Sequence, residues 1–321
     1  MNKTAVCPFL ECSSSLKSNV VPFGSYSQQD TEFSRFRGIQ IVFCATDAIL
    51  LRTKVLQKML ANHPEITLFE MGNEYLCKAL DNEGIFIFST SLETFGHMIH
   101  SEDFKQGSTE GELYELVKNP FDWRQRYLHP EFELYLNGSK LIKEPCPDVY
   151  WFPLMTERYC KSIIREFETF GFWGNGSEED PRNDGHEPVP TVDVYFTDMG
   201  LHETWMQFLR VILFEMVQKV YRGFSRGPPE SAHTFLVRYQ LGEQTYLRSH
   251  EDTAIYTINI AMNPNSDFTG AGLRFSKSEC FIPETEMGWG LLHPSRLTHN
   301  HEAKPIRSGK RYVQVSFIDN E

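Results

Sequence analysis

His250 and Asp252 flank Glu251, and the residues that could complete a site with them lie far along the chain. In an extended segment, residues two apart point to the same side. His250 and Asp252 can therefore face one point while Glu251 turns away. A third group must come from a distant segment, and His301 is a candidate, with Arg311 ten residues further on. Only a sheet or barrel that lays remote strands side by side can assemble such a set. The flanking sequence supplies the strands. Ile255 to Met262 is a nearly unbroken apolar run, and Lys310 to Phe317 alternates, with Arg311, Val313, Val315 and Phe317 on one face.

Two imidazoles and a carboxylate form the triad that holds non-haem Fe(II) and leaves coordination positions open. They leave a net positive ion that favours further anionic oxygen ligands, such as the oxo-acid end of 2-oxoglutarate. Arg311 offers a planar, permanent cation for the far carboxylate of such a co-substrate. An H-x-D triplet alone says little, because most His and Asp residues are solvated surface. The chain has 11 histidines, and His293 and His299 compete with His301 on chemistry.

From Pro145-Cys146-Pro147-Asp148-Val149-Tyr150-Trp151-Phe152-Pro153 to the C-terminus, the sequence resembles the catalytic domain of the procollagen lysyl hydroxylases. Val189 to Asp193, Phe235 to Tyr239, Thr257 to Ala261, and His293 to Glu302 followed by Arg311-Tyr312 carry the same resemblance. Upstream it weakens, although Asn119 to Trp123 still matches. The resemblance implies a double-stranded β-helix (jelly-roll) catalytic domain in an α+β chain, with buttressing helices. It implies Fe(II) on His250, Asp252 and His301, and 2-oxoglutarate on Arg311. L-ascorbate would rescue oxidised iron. The substrate would be peptidyl lysine in collagen X-Lys-Gly sequences, converted to 5-hydroxylysine. Tyr239 and Asn259 match positions lining the co-substrate pocket, and each could equally be a satisfied core polar group. By the same resemblance, His293 and His299 match family positions outside the iron shell. The chain departs from the family at Leu273, where a cysteine is usual. A prolyl hydroxylase-like oxygenase and a non-catalytic collagen-binding paralogue are the rival readings.

The family resemblance also implies a homodimer, the endoplasmic reticulum lumen and a Cys146–Cys280 disulfide. The chain has seven cysteines and no C-x-x-C pair, which argues against a zinc ribbon or thioredoxin-like motif. Asn2, Asn137 and Asn175 open Asn-x-Ser/Thr acceptor triplets, as in a lumenal glycoprotein. Met1 to Pro8 lacks the apolar core of a signal peptide, so the chain reads as a possible fragment of a longer arrangement. The glycosyltransferase activity of such an arrangement is not expected of it. No apolar run is long enough for a transmembrane helix. The net charge of −12 argues against nucleic acid and anionic membranes. It suits a basic partner or simply a soluble surface.

Three regions follow. Residues 1–37 are polar and expected to be poorly ordered. Residues 38–145 read as a partial α/β glycosyltransferase-like accessory domain and connector. Strands are expected at Gly38 to Cys44 and Gly84 to Phe88, and helices at Ile49 to Leu60 and around Phe95 to Ile99. Trp123, Tyr127 and Tyr135 would anchor the connector. Residues 146–321 read as the dioxygenase domain. There, Thr156 caps a helix bearing Cys160, Ile163, Ile164 and Phe167. A longer helix carries Trp205 to Val220 and stops near Gly223. Gly174 to Pro190 reads as a loop, at the site mouth or elsewhere on the surface.

Overall fold

A computed structural model describes residues 5–8, 11–12, 20–21, 38–45, 49–63, 72–92, 97–98, 110–117, 119–176, 191–223, 227–283 and 285–320. The chain divides into two compact units, residues 1–103 and 104–321.

In the first unit, β1 (Ala5–Pro8), β4 (Ile39–Val42), β6 (Leu50–Leu51) and β7 (Ile87–Thr90) form one sheet in the order β4-β7-β1-β6. Two short pairs accompany it. β2 (Glu11–Cys12) runs parallel to β8 (His97–Met98), and β3 (Val20–Val21) antiparallel to β5 (Cys44–Ala45). Helices α1 (Thr53–Asn62) and α2 (Gly72–Asn82) complete the unit. Ala5, Cys7, Val42, Met59, Leu80 and Ile87 share its core. The leading segment, expected to be loose, thus supplies a strand inside the sheet. Ala5 and Cys7 are buried there, paired in parallel with residues some eighty positions away. Of the helix expected around Phe95 to Ile99, only His97–Met98 are described, and they are a strand. A Cys44–Cys77 disulfide joins β5 to α2.

The second unit begins at 104 rather than 146, because the expected connector is part of its core. A 3-10 turn (Gly111–Tyr114) leads to α3 (Pro120–Tyr127) and α4 (Phe132–Leu136). Trp123, Tyr127 and Phe132 pack in edge and tilted ring contacts with later residues, and Tyr135 is buried beside Trp289. Helix α5 (Glu157–Phe170) starts where the Thr156 hydroxyl accepts from the Tyr159 N–H at 3.3 Å. It ends at Gly171 in the left-handed region. Helices α6 (His202–Phe208) and α7 (Phe214–Val220) are joined by one π turn, Leu209–Leu213, so the long helix is continuous but not uniformly α.

Twelve strands follow the jelly-roll plan of two facing sheets. The larger contains β9 (Lys143–Cys146), β10 (Val149–Pro153), β11 (Asp193–Tyr195), β12 (Ser231–Gln240), β14 (Tyr256–Ala261), β18 (Trp289–Pro294) and β20 (Ile306–Asp319). Their order is β11-β12-β20-β14-β18-β10-β9, with β15 (Phe268–Gly270) attached to β20. The smaller sheet, in the order β13-β19-β16-β17, contains β13 (Leu247–His250), β16 (Leu273–Phe275), β17 (Cys280–Ile282) and β19 (His301–Ala303). The unit is a sheet-rich α+β fold.

Strand alternation gives the larger sheet two apolar faces. Leu236, Ile258, Ile260, Leu292, Tyr312 and Ile318 pack against helix residues including Phe167, Trp205 and Phe208. Trp205→Ala would cost roughly 3–5 kcal/mol at such a buried position. Two polar pairs cross that face: Trp205 Nε1 donates to Ser316 Oγ at 2.9 Å, and Tyr159 Oη donates to Gln314 at 3.0 Å. The opposite face, with Phe235, Val237, Tyr239 and Val313, turns inward. Gly309, at φ +78°, lets β20 bend past β15. A Cβ there would lie 1.9 Å from the Asp267 carbonyl oxygen. The Cys146–Cys280 disulfide links the larger sheet's edge to the smaller sheet. Among the described residues no helix is long and apolar enough to cross a membrane. Residues 177–190, most of the expected loop, lie outside the described residues.

Candidate metal centre

Strand β13 ends at His250, and the chain turns so that Asp252 follows beyond it. Strand β19 opens with His301 directly opposite His250 in the antiparallel register. The remote pairing required by the sequence is thus a cross-strand contact. His250 Nε2 lies 3.3 Å from Asp252 Oδ1, and His301 Nε2 lies 3.8 Å from the same oxygen. One ligand atom from each residue falls within 4.8 Å of the others. Glu251, also at the cavity lining, pairs with Lys277 at 3.0 Å.

Backbone carbonyls set the imidazole tautomers. His250 Nδ1 is 2.8 Å from the Arg248 oxygen, and His301 Nδ1 is 2.9 Å from the His299 oxygen. A carbonyl only accepts, so both Nδ1 atoms carry the proton and both Nε2 atoms present lone pairs. Burial works against the charged form of His250, but the adjacent Asp252 carboxylate outweighs it and raises the pKa. Burial, ahead of the opposing Asp252 charge, lowers that of His301. Burial also disfavours the Asp252 carboxylate. The adjacent His250, His301 and His293 imidazoles and the Thr257 hydroxyl reverse this and hold it well below the usual range.

Asp252 Oδ1 is buried and has no hydrogen-bond donor among the described residues, while Oδ2 accepts from Thr257 Oγ1 at 2.6 Å. An orphaned carboxylate oxygen costs free energy unless something cationic meets it. It faces two bare imidazole nitrogens. The donor set therefore fits a divalent metal ion, and its two nitrogens and one oxygen suit Fe(II).

The centre opens into a cavity of about 470 Å³ between the sheets. Arg311, Val313, Val315 and Phe317 of β20 all line it, as does Tyr239 opposite Arg311 on β12. Arg311 is only 8 % exposed, and no carboxylate pairs with it among the described residues. Its guanidinium carbon sits 5.7 Å from the Tyr239 ring centre. Burial lowers the Arg311 pKa and pushes the Tyr239 phenol up to about 12. A buried, unpaired guanidinium is an anion-binding group awaiting its anion.

Asn259 also lines the cavity, and its Nδ2 is 3.1 Å from His293 Nε2. His293 Nδ1 lies 2.7 Å from the Pro294 carbonyl oxygen, and burial lowers the His293 pKa to about 3. His293 is thus a neutral ring that donates to a carbonyl and accepts from Asn259. His299 is held by Thr298 and the Pro147 carbonyl oxygen. Leu273 is 9 % exposed and forms part of the cavity wall. Residues that sequence reasoning did not single out are Thr257 and Ser295 behind Asp252, and the wall residues Tyr195, His233 and Phe235. Only the alternation of Thr257 with Asn259 could have signalled the first of these.

Fold and site together define a jelly roll with a candidate His–Asp–His metal centre and a buried cation in one cavity. No family model matches the chain. By sequence it is homologous over most of its length to the procollagen-lysine 2-oxoglutarate 5-dioxygenases, the lysyl hydroxylases. The Drosophila melanogaster procollagen-lysine,2-oxoglutarate 5-dioxygenase is 39% identical over 246 residues, covering 76% of this chain and 34% of the relative. The Gallus gallus procollagen-lysine,2-oxoglutarate 5-dioxygenase 1 is 35% identical over 333 residues, covering 99% of this chain and 45% of the relative. The Homo sapiens multifunctional procollagen lysine hydroxylase and glycosyltransferase LH3 is 37% identical over 245 residues, covering 76% and 33%. The chain thus spans between a third and a half of the length of these relatives. A Pseudomonas putida prolyl-4-hydroxylase structure is 10% identical, at a TM-score of 0.41, over 60% of this chain and 100% of that one.

Proposed function

We propose that the second unit is an Fe(II)- and 2-oxoglutarate-dependent oxygenase. It hydroxylates peptidyl lysine in collagen-type X-Lys-Gly sequences to 5-hydroxylysine, with succinate and carbon dioxide as co-products. The observation that carries the chemistry is the pairing, in one cavity, of an orphaned carboxylate oxygen between two imidazoles with an unpartnered buried guanidinium. The lysine substrate rests on the homology to the lysyl hydroxylases.

His250, Asp252 and His301 would hold the iron, which supplies oxygen activation when bound. Arg311 pairs with the distal carboxylate of 2-oxoglutarate, and Tyr239 packs against that guanidinium. Asn259, fixed by neutral His293, presents its amide to the cavity. Val313, Val315, Phe235 and Phe317 give the reacting groups an apolar wall. Ascorbate would keep the iron reduced between turnovers. The same reading places the chain in the endoplasmic reticulum lumen as a homodimer. Asn137 and Asn175 are exposed, and Asn2 lies outside the described residues. The first unit is read as a remnant of a glycosyltransferase-like accessory domain, on its mixed strand and helix content.

The direct test is metal-dependent turnover. The wild type should convert 2-oxoglutarate to succinate with Fe(II) and a lysyl peptide, and Asp252→Ala should not. Equal succinate production by Asp252→Ala would refute the site assignment.

A further inference from the structure

A carboxylate can meet a cation with one oxygen or with both. The choice matters in a three-ligand centre, because a second bound oxygen occupies a position that co-substrate or oxygen needs. In this chain two hydroxyls in series stand behind one of the two carboxylate oxygens. Thr257 Oγ1 lies 2.6 Å from Asp252 Oδ2 and 2.7 Å from Ser295 Oγ. A carboxylate only accepts, so the single Thr257 proton goes to Asp252, and Ser295 must donate to Thr257. Both hydroxyl residues are fully buried, so water does not compete for either bond. Oδ2 is therefore occupied, while Oδ1 is the oxygen without a donor, turned to His250 and His301.

The strand register explains how this is built. Thr257 on β14 pairs directly with His293 on β18, and Ser295 follows two residues on. Two alternate inward positions of one segment, His293 and Ser295, thus each lock an inward position of β14. His293 holds Asn259 and Ser295 holds Thr257.

The geometry points to Thr257, oriented by Ser295, as the residue that makes Asp252 a one-oxygen ligand. The assignment rests on the iron reading above. Thr257 is a positioning residue: it touches neither the ion nor the co-substrate, and acts through Asp252. Its hydroxyl keeps Oδ2 turned away, so the centre retains the open positions of a facial triad.

The test uses the full chain loaded with Co(II), whose ligand-field spectrum reports coordination number, followed by titration with 2-oxoglutarate. In Thr257→Val, which preserves shape, Oδ2 is released. The Co(II) spectrum should shift toward a higher coordination number, and 2-oxoglutarate affinity should fall about tenfold or more, on the scale of the 10–100-fold that losing an outer-shell partner costs in metal affinity or activity. Thr257→Ser restores the hydroxyl and should return both readouts to wild type. Ser295→Ala keeps the Thr257 hydroxyl but frees its rotation, and should show a smaller shift in the same direction. If Thr257→Val does not fold, Thr257→Ser and Ser295→Ala decide. Wild-type values for Ser295→Ala would then overturn the assignment. A folded Thr257→Val with the wild-type spectrum and affinity overturns it outright. A wild-type chain that takes up no Co(II) overturns the metal reading itself, and this assignment with it.

Discussion

Arg311 is a buried cation with no carboxylate partner among the described residues, and that makes an unusual prediction. Most core substitutions destabilise, but Arg311→Met should stabilise the ligand-free protein. The guanidinium is 8 % exposed and its contact is the Tyr239 ring, 5.7 Å from its carbon. A buried charge without a partner costs several kcal/mol at the extreme. The adjoining cavity admits solvent, which places the penalty nearer the range for an unsatisfied polar group, about 1–3 kcal/mol. Methionine keeps the unbranched stem and removes the charge. At roughly 2–4 °C per kcal/mol for a unit of this size, the metal-loaded, ligand-free midpoint should rise by several degrees. Ligand should then reverse the order. Saturating 2-oxoglutarate, at about 100 times its Kd, stabilises the wild type by about 2.7 kcal/mol and should add nothing to the variant. Arg311→Lys keeps charge without the fork, and should weaken co-substrate binding by roughly tenfold or more. The assay is thermal unfolding with Mn(II), with and without 2-oxoglutarate. Arg311→Met that lowers the ligand-free midpoint and still shows the 2-oxoglutarate shift would refute the reasoning.

Other expectations follow from the same structure. His293 is buried neutral with its pKa lowered to about 3, so below pH ~6.5 unfolding takes up a proton that the folded state refuses. Stability is complete above that pH and falls by about 1.4 kcal/mol per unit as the medium is acidified, until the folded pKa is reached. Denaturant melts of the metal-free protein at pH 7 and pH 5 should differ by about 2 kcal/mol from this group, and His293→Gln should flatten that slope. Replacing Cys146 and Cys280 by serine should cost about 2–4 kcal/mol, read as a lower denaturation midpoint of the second unit. Gly309→Ala should lower the melting temperature, since its Cβ would collide with the Asp267 carbonyl oxygen.

Much of the site was legible because strand alternation is local. Arg311, Val313, Val315 and Phe317 do face one cavity, and His250 and Asp252 both reach it, although the strand itself ends at His250. Thr156 caps its helix for a reason visible in the residue itself, a hydroxyl able to meet a free N–H. The remainder depended on partners remote in sequence. Nothing local marks Ala5–Pro8 as a strand, because its stability comes from pairing with β7. Trp123 and Tyr127 read as linker anchors until Tyr159 and Phe208 are seen packed on them. The Cys44–Cys77 disulfide joins a strand to a helix across a separation of 33 residues that carries no motif. Thr257 and Ser295 are ordinary strand residues until the register sets them behind Asp252.

The central claim is that this cavity oxidises peptidyl lysine. It is tested most directly by mass spectrometry of an X-Lys-Gly peptide after incubation with the chain, Fe(II), ascorbate and 2-oxoglutarate. The account predicts the mass gain of one oxygen, localised to lysine and matched by succinate formed. It also predicts that the gain is absent with Asp252→Ala. Succinate without any gain on lysine, or a gain localised to proline in a matched collagen peptide, would contradict it.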